Sequence, residues 1–182
     1  NGTAWVTVTG ASSPAITGVT TSTLVHVNVF QRRLWFVQKD TFKVWYLPVD
    51  SIGGAALSFD FSALFRQGGY LMAMGTWTLD SGTGMDDHAV FMSSEGEIAV
   101  YRGTDPNSAA TWYLVGVYTV GQPIGRRCYT NYASDLLIIS KDGVLPMSKA
   151  LASSRVTTGI SISDKIQLAM TDAITNYGAN FG

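Results

Sequence analysis

Apolar and polar residues alternate along most of the chain in short runs that turn residues interrupt. Residues 30–49 read FQRRLWFVQKDTFKVWYLPV, with an apolar run from Leu34, a polar break at residues 38–41 and a second apolar run to Pro48. Runs of β-branched and aromatic residues bounded by turn residues are typical of antiparallel strands. The pattern therefore predicts a β-hairpin in this stretch.

The same hairpin pattern occurs three times. Residues 35–46 read WFVQKDTFKVWY, residues 90–101 read VFMSSEGEIAVY and residues 137–148 read LIISKDGVLPMS. In the second and third copies an acid-Gly pair stands at the tip, where glycine accepts the positive φ of a tight turn. The copies are 55 and 47 residues apart, counted from Phe36 to Phe91 and from Phe91 to Ile138. Blades of a β-propeller repeat at about 40 to 50 residues and contain four strands.

Strand-like segments on both sides of the hairpins complete the predicted blades. Residues 24–30, 70–77 and 126–132 each precede a hairpin, while residues 59–65 and 112–120 each follow one. The expected all-β fold is one propeller-like domain over residues 1–182, a piece of a longer chain. It has blades at 24–65 and 70–120, a partial blade at 126–149 and outer strands of a preceding blade at 1–20. A single antiparallel sandwich or barrel predicts similar turn spacing but does not predict the recurring hairpin, and it stays open here.

An amphipathic helix is predicted at residues 163–177. Ser163 is an acceptable N-cap, Asp164 suits the first turn, and Gly178 is placed to end the helix. Its apolar residues fall on one side at helical spacing: Ile166, Met170, Ala173, Ile174 and Tyr177. We expect this side to pack on a sheet edge.

The composition indicates a large buried fraction or an extensive contact surface. Hydrophobic residues make up 46% of the chain and charged residues 14%, against about 25% charged in an average soluble protein. The formal net charge of −1 provides no general attraction to nucleic acid. No apolar run approaches the length of about 18 residues that predicts a membrane-spanning helix.

Few residues suggest chemistry. His26 and His88 each stand alone, without metal-ligand or nucleophile motifs around them, and His26 is predicted to be structural. Cys128 is predicted to be a core residue, although neighbouring arginines favour the alternative of a reactive thiol. Asp80, Asp86 and Asp87 among glycines suggest calcium, but their spacing is not that of an EF-hand. We therefore expect no catalytic residue, no metal and no cofactor.

Two features suggest binding surfaces. Residues 103–112, GTDPNSAATW, resemble the Asp-box turn of sialidase-type propellers without its glycine, which points to a turn between the third and fourth strands of a blade. Trp77 and Trp112 are candidates for exposed, sugar-contacting side chains. Arginine doublets mark predicted rim contacts for carboxylates or a nucleic-acid backbone, with solvated strand ends as the alternative: Arg32, Arg33, Arg126 and Arg127.

Three segments resemble the tail accessory or nozzle proteins of short-tailed phages and prophages, also described as packaged-DNA stabilisation proteins. They are NVFQRRLWFVQKDTFKVWYLPVDSIGG, GEIAVYRGTDPNSAATWYLVGVYTVGQPIGRR and DLLIISKDGVLPMSKAL, and the resemblance runs over most of residues 1–177. It implies a non-enzymatic structural protein of the virion tail, made in the bacterial host cytoplasm. There it would join other tail subunits in a homo-oligomeric ring that retains and conducts DNA while contacting it weakly.

Two alternatives remain open from the sequence. One is a glycan- or receptor-binding propeller at the tail tip, and the other is a host-type interaction propeller unrelated to phage. The chain also departs from the implied fold, because closed propellers have at least four blades and only three and a remnant are predicted here.

Overall fold

The computed structural model describes residues 14–80, 85–150 and 161–178. Strands make up 48% of these residues and helices 15%, so the prediction of a mostly β fold with a C-terminal helix is confirmed at this level. Within the described ranges the sheets close neither a barrel nor a propeller.

The first part of the chain forms one antiparallel sheet and a short parallel pair. In chain order the strands are β1 (Ile16–Thr17), β2 (Leu24–Phe30), β3 (Arg33–Gln38), β4 (Lys43–Tyr46), β5 (Gly54–Ala55) and β6 (Leu57–Asp60). Sheet 1 has the order β2-β3-β4-β6 and is antiparallel throughout. The two-residue β1 pairs in parallel with β5, on the connection between β4 and β6.

The rest of the chain forms two further antiparallel sheets and two helices. Sheet 2 is a meander of β7 (Leu71–Asp80), β8 (Met85–Ser93), β9 (Glu97–Gly103) and β10 (Trp112–Thr119). Sheet 3 is a meander of β11 (Tyr129–Tyr132), β12 (Asp135–Ser140) and β13 (Gly143–Pro146). The helices are α1 (Met147–Ala150) and α2 (Gln167–Tyr177), and a 3₁₀ turn at Asp164–Ile166 precedes α2.

All three predicted hairpins are present. They are β3–β4, β8–β9 and β12–β13, and each joins consecutive antiparallel strands. Gly96 and Gly143 have φ of +88° and +105° at the second and third tips. In the first hairpin, where no glycine is available, Asp40 takes a φ of +54°. Aspartate is among the few residues that tolerate this conformation.

Sheet 2 lies between the other two sheets and contributes to two separate cores. Because side chains alternate across a strand, Ala89 and Phe91 of β8 face the core shared with sheet 1. Val90 and Met92 of the same strand face the core shared with sheet 3. The near-continuous apolar run of β8 is thus explained by burial on both faces. The described residues form three stacked layers, where a sandwich has two.

Some strand boundaries differ from the predicted ones. β6 ends at Asp60, and the residues that follow turn back through a Phe65 N–H bond to the Phe61 carbonyl at 3.1 Å. Both phenylalanines are buried in the core between sheets 1 and 2, so this apolar segment fills the core as a turn and not as a strand. β1 pairs only with β5, from the connection between β4 and β6, in a two-stranded sheet separate from sheet 1. The remainder of the predicted preceding blade, residues 1–13, lies outside the described residues.

The C-terminal helix is present and contacts β13, the edge strand of sheet 3, but its apolar side is only partly buried. No residue of α2 is fully buried, and Leu168 and Tyr177 are 84% and 60% exposed. The helix is held at its start, where Gln167 Nε2 donates to the Lys141 carbonyl at 3.3 Å. Ser163 does not cap it, because its Oγ instead accepts the Val144 N–H at 3.0 Å.

Candidate functional site

The outer face of sheet 1 carries an apolar patch that the other described residues cover only in part. Sheet 1 packs one face on sheet 2. Five apolar side chains lie on the opposite face, and we call them the open face: Val27, Val29, Leu34, Phe36 and Trp45. Cross-strand pairing of Val27 with Phe36, of Val29 with Leu34 and of Phe36 with Trp45 places these side chains together. Val27 and Val29 are each 57% exposed.

A groove of about 800 Å³ runs along the open face and the edge of β2. Its apolar lining includes Ile16, Leu34, Phe36 and Ile52. His26 and Arg127 are the ionisable groups that line it. Apart from these two, the lining is apolar or weakly polar, which suits contact with another protein surface better than recognition of a charged small molecule.

His26 belongs to a hydrogen-bonded junction between the sheets. Its Nε2 donates to the Met74 carbonyl at 2.9 Å, which confirms the predicted structural role. The same carbonyl accepts Asn28 Nδ2 at 2.8 Å and the Tyr129 hydroxyl at 2.8 Å. The sequence did not single out Asn28 or Tyr129, because nothing local in their strands marks them as partners of a residue in β7.

The first arginine doublet is engaged within the protein. The Arg32 guanidinium forms a two-pronged, solvent-exposed ion pair with Asp50. Arg33 lies 3.6 Å from Asp105 and over the ring of Tyr46 at 5.8 Å, with only 13% of its side chain exposed. Arg33 therefore ties sheet 1 to the β9–β10 connection of sheet 2.

The second doublet lies elsewhere on the surface. Arg127 is exposed and lines the groove, and Arg126 is half-buried near His26. The first doublet follows Phe30 at one end of β2, while the second lies beside His26 of the same strand. Phe30 and His26 are roughly 13 Å apart, because a strand rises about 3.3 Å per residue. The structure therefore does not bring the four arginines together. Their contacts with a partner stay a prediction.

The two tryptophans expected to be exposed are buried, so that expectation is wrong. Trp77 is 2% exposed and donates its Nε1 to the Ser134 carbonyl at 3.2 Å. Trp112 is 7% exposed and stacks on Tyr101 and Trp35 at centroid distances of 5.2 and 5.6 Å. Both rings fill the cores between sheets and leave no aromatic platform for a sugar at these positions.

The Asp-box-like segment lies where it was predicted, between the third and fourth strands of sheet 2. Asp105 accepts the Asn107 N–H at 3.2 Å, and Asn107 in turn accepts the Tyr46 hydroxyl at 2.8 Å. Together with the ion pair from Arg33, these contacts make the segment a structural turn that also holds sheet 1.

Cys128, Asp86 and Asp87 make structural contacts, while the side chain of Asp80, the third calcium candidate, lies outside the described part of the chain. Burial raises the pKa of the Cys128 thiol to about 12, so Cys128 is the predicted core residue and not a reactive thiol. Asp86 lies 3.5 Å from Arg102, and Asp87 accepts the Thr78 hydroxyl at 2.8 Å. Among the residues that the structure describes, no group of three or more His, Cys, Asp or Glu side chains is arranged to hold a metal ion.

Glu97 is a buried carboxylate that the sequence did not single out. It is 5% exposed in the first position of β9. Its oxygens accept the backbone N–H of Arg66 at 2.9 and 3.0 Å and that of Gln67 at 2.8 Å. The carboxylate of Glu97 thus fixes the connection between β6 and β7 by accepting these backbone N–H groups. A glutamate between a turn glycine and an apolar strand is a weak signal of such a role.

No protein-family model matches the chain, and comparison with curated proteins gives no match. Within the described ranges, no helix has the length and apolar character needed to cross a membrane. The candidate functional surface is therefore defined by geometry, as the open face with its groove.

Proposed function

We propose that this protein is a non-enzymatic structural component of a phage or prophage tail, part of the tube or nozzle that retains and conducts packaged DNA. The observation that carries the proposal is a stack of antiparallel sheets whose outer face carries a partly exposed apolar patch. The assignment to a phage tail is supported by the three sequence segments that resemble tail nozzle proteins.

Within this proposal the three sheets are blades of a propeller-like array. Each sheet begins with an edge strand, and these three strands are β2, β7 and β11. Side chains of β2 and β11 both bond to one carbonyl of β7, so the three first strands lie side by side. In a β-propeller the first strands of the blades likewise lie next to one another around the central axis. Three blades do not complete a ring, since closed propellers have at least four.

The open face is the proposed contact with the neighbouring subunit, a second copy of this chain in a ring. It continues the stack of sheets and has the same chemistry as the two internal cores, because its five side chains are uncharged and apolar in character. Exposed apolar patches of this kind mark protein–protein contacts. The depletion of charge at the centre is typical of interface cores.

DNA is proposed to be a weakly contacted passing cargo. The chain has 12 basic and 13 acidic residues, which leaves no excess to neutralise phosphates. Three of the arginines are also paired with aspartates: Arg32 with Asp50, Arg33 with Asp105 and Arg102 with Asp86. A conduit with few free cations does not hold the DNA that has to leave through it.

The tail assignment is tested on purified particles. Quantitative peptide mass spectrometry of density-purified virions and of detached tails should find the protein at a fixed ratio to other tail subunits. A host cytosolic protein measured in the same samples sets the background. Recovery of the protein only in the soluble lysate, at background level in particles, would contradict the proposal.

The open face is tested with a matched pair of substitutions. Val27 and Val115 are both exposed valines, at 57% and 44%, in edge strands of different sheets. The V27D substitution should abolish incorporation into tails because it places a charge in the subunit contact, while V115D should incorporate normally. Equal incorporation of the two variants, both shown to be folded by circular dichroism, would mean that the open face is not the contact.

We do not favour a glycan- or receptor-binding role at the tail tip. Trp77 and Trp112 motivated it, and both are buried. No other described feature favours a sugar site.

A further inference from the structure

A second group of exposed apolar side chains lies at the edge of sheet 3. Ile162, Ile166 and Leu168, at the turn that leads into α2, are 61%, 59% and 84% exposed. The turn is fixed to β13, because the Ile162 N–H donates to the Val144 carbonyl at 3.0 Å and the Val144 N–H donates to the Ser163 Oγ at 3.0 Å. We call the three apolar residues the helix-start patch. Since sheet 2 lies between sheets 1 and 3, this patch and the open face lie on the two outer sheets of the stack.

The shapes of these two surfaces differ. The open face carries a groove of about 800 Å³, so two copies that met groove to groove would leave an unfilled space between them. Such a space forfeits the close packing contacts that favour apolar burial. The helix-start patch lies on a turn and the beginning of a helix, and a helical segment with apolar side chains is a common occupant of an apolar groove. The groove therefore fits the helix-start patch better than it fits a second open face.

The charges of the two surfaces have opposite signs. Arg127 is exposed and lines the groove, and in the described part of the chain no carboxylate forms an ion pair with it. Two open faces in contact would bring two such guanidinium groups together, which costs free energy. Residues 161–178 carry two exposed acids, Asp164 and Asp172, and one exposed base, Lys165, so their net charge is −1. This charge complements that of Arg127.

We propose that the helix-start patch of one copy docks into the groove on the open face of the next copy. Leu168 is the apolar anchor, because it is the most exposed of the three patch residues. A head-to-tail contact of this kind uses two different surfaces of each subunit and builds a ring or a filament, whereas contact between two open faces stops at a dimer. The inference rests on the proposed function in one respect, that the open face contacts a second copy, and it adds which surface of that copy fills the groove.

Mixing two variants of the full chain tests the head-to-tail contact. V27D disables the groove and keeps the helix-start patch, while L168D does the reverse, so each variant alone should sediment as a monomer. An equimolar mixture should sediment as a dimer, because the V27D chain provides the patch and the L168D chain provides the groove. Sedimentation velocity at about 100 μM detects this contact, since the weaker standard-size interfaces have dissociation constants of about 1 μM.

Two control variants change exposed residues that lie outside both surfaces, Val115 of β10 and Thr175 of α2. V115D and T175D should assemble into species larger than a dimer, as the unmodified protein should. Circular dichroism checks that each variant is folded. I166D, at a second position of the helix-start patch, replaces L168D if L168D is not folded.

Four results would overturn the inference, and they affect the proposed function differently. If V27D is monomeric but L168D assembles like the unmodified protein, another surface fills the groove and the subunit contact on the open face stands. If both variants and their mixture are monomeric, the copies meet face to face, and the open face again stands as the contact. If V27D assembles like the unmodified protein, or the unmodified protein is itself a monomer, the inference fails together with the open-face contact. The tail assignment would then depend on the particle measurement alone.

Discussion

Removing the buried carboxylate of Glu97 should strongly destabilise the fold. Glu97 is 5% exposed and accepts the backbone N–H groups of Arg66 and Gln67, which lie in the connection between sheets 1 and 2. In Glu97→Ala both donors lose their charged acceptor. The same connection contains Phe61 and Phe65, whose rings are buried in the core between these sheets. Loosening it therefore exposes apolar surface as well.

The magnitude follows from the two donors. A hydrogen bond to a charged group contributes about 1.5 to 3 kcal/mol, and leaving a buried donor without a partner costs about 1 to 3 kcal/mol. Because the connection relaxes partly toward water, we take the lower end for each donor and expect a loss of about 3 kcal/mol. For a chain of this length that loss lowers the melting temperature by about 6 to 12 °C. Glu97→Gln should lose less, since its remaining carbonyl oxygen can accept both N–H groups.

The chain provides a matched control, because Glu95 and Glu97 are its only glutamates. Glu95 is a partly exposed turn residue whose Oε2 accepts Gln122 Nε2 at 2.6 Å. Glu95→Ala should cost less than about 1 kcal/mol. Urea unfolding of the four proteins, followed by tryptophan fluorescence, gives the free energies of unfolding. If Glu97→Ala and Glu95→Ala agree within about 0.5 kcal/mol, the assigned role of the buried carboxylate is wrong.

The remaining predictions concern a thiol, a turn and DNA. Burial raises the pKa of the Cys128 thiol to about 12, so the thiol should resist iodoacetamide at pH 8 in the folded protein and react fully in urea. Mass spectrometry measures the alkylation, and equal rates in the folded and the urea-unfolded protein would show that the thiol is accessible. Gly103→Ala should cost about 3 kcal/mol in thermal unfolding, because φ is +129° and a Cβ would lie 1.9 Å from the Thr111 carbonyl oxygen. Gly54 has a φ of +103°, but a Cβ added there would meet no atom within 4 Å, so Gly54→Ala should cost only about 1 to 2 kcal/mol. Equal losses of stability in Gly103→Ala and Gly54→Ala would contradict the argument from the close contact. Duplex DNA should bind no more tightly than about 10⁻⁴ M in a gel shift at about 150 mM salt. Submicromolar binding would indicate a clamp if it disappeared when alanine replaced the doublet residues Arg32, Arg33, Arg126 and Arg127.

Much of the secondary structure could be predicted from the sequence because it depends on neighbours along the chain. β2 spans Leu24–Phe30, the segment predicted from alternation alone. The three hairpins follow from apolar runs that meet at residues able to take a positive φ, namely Asp40, Gly96 and Gly143. These are local properties of the backbone, and no distant contact has to be known to infer them.

Local pattern failed where an apolar residue had more than one way to be buried. Phe61 and Phe65 continue the apolar run of β6, yet they enter the core from a turn. Trp77 and Trp112 were expected on the surface, and neighbouring sheets cover them. The stripe of α2 was expected to be covered, and α2 has no buried residue. Periodicity tells which residues share a face, but it does not tell which face another element covers.

The tertiary structure alone decided the polar contacts between sheets. Tyr129 and His26 lie 55 and 48 residues from Met74, and Arg33 pairs with Asp105 on another sheet. No spacing rule links residues so far apart, because their meeting depends on how the sheets stack after each has formed. The sequence by itself therefore determined the strands, their turns and the recurring hairpin. The stacking of the sheets decided which apolar face stays open and which side chains meet at the Met74 carbonyl.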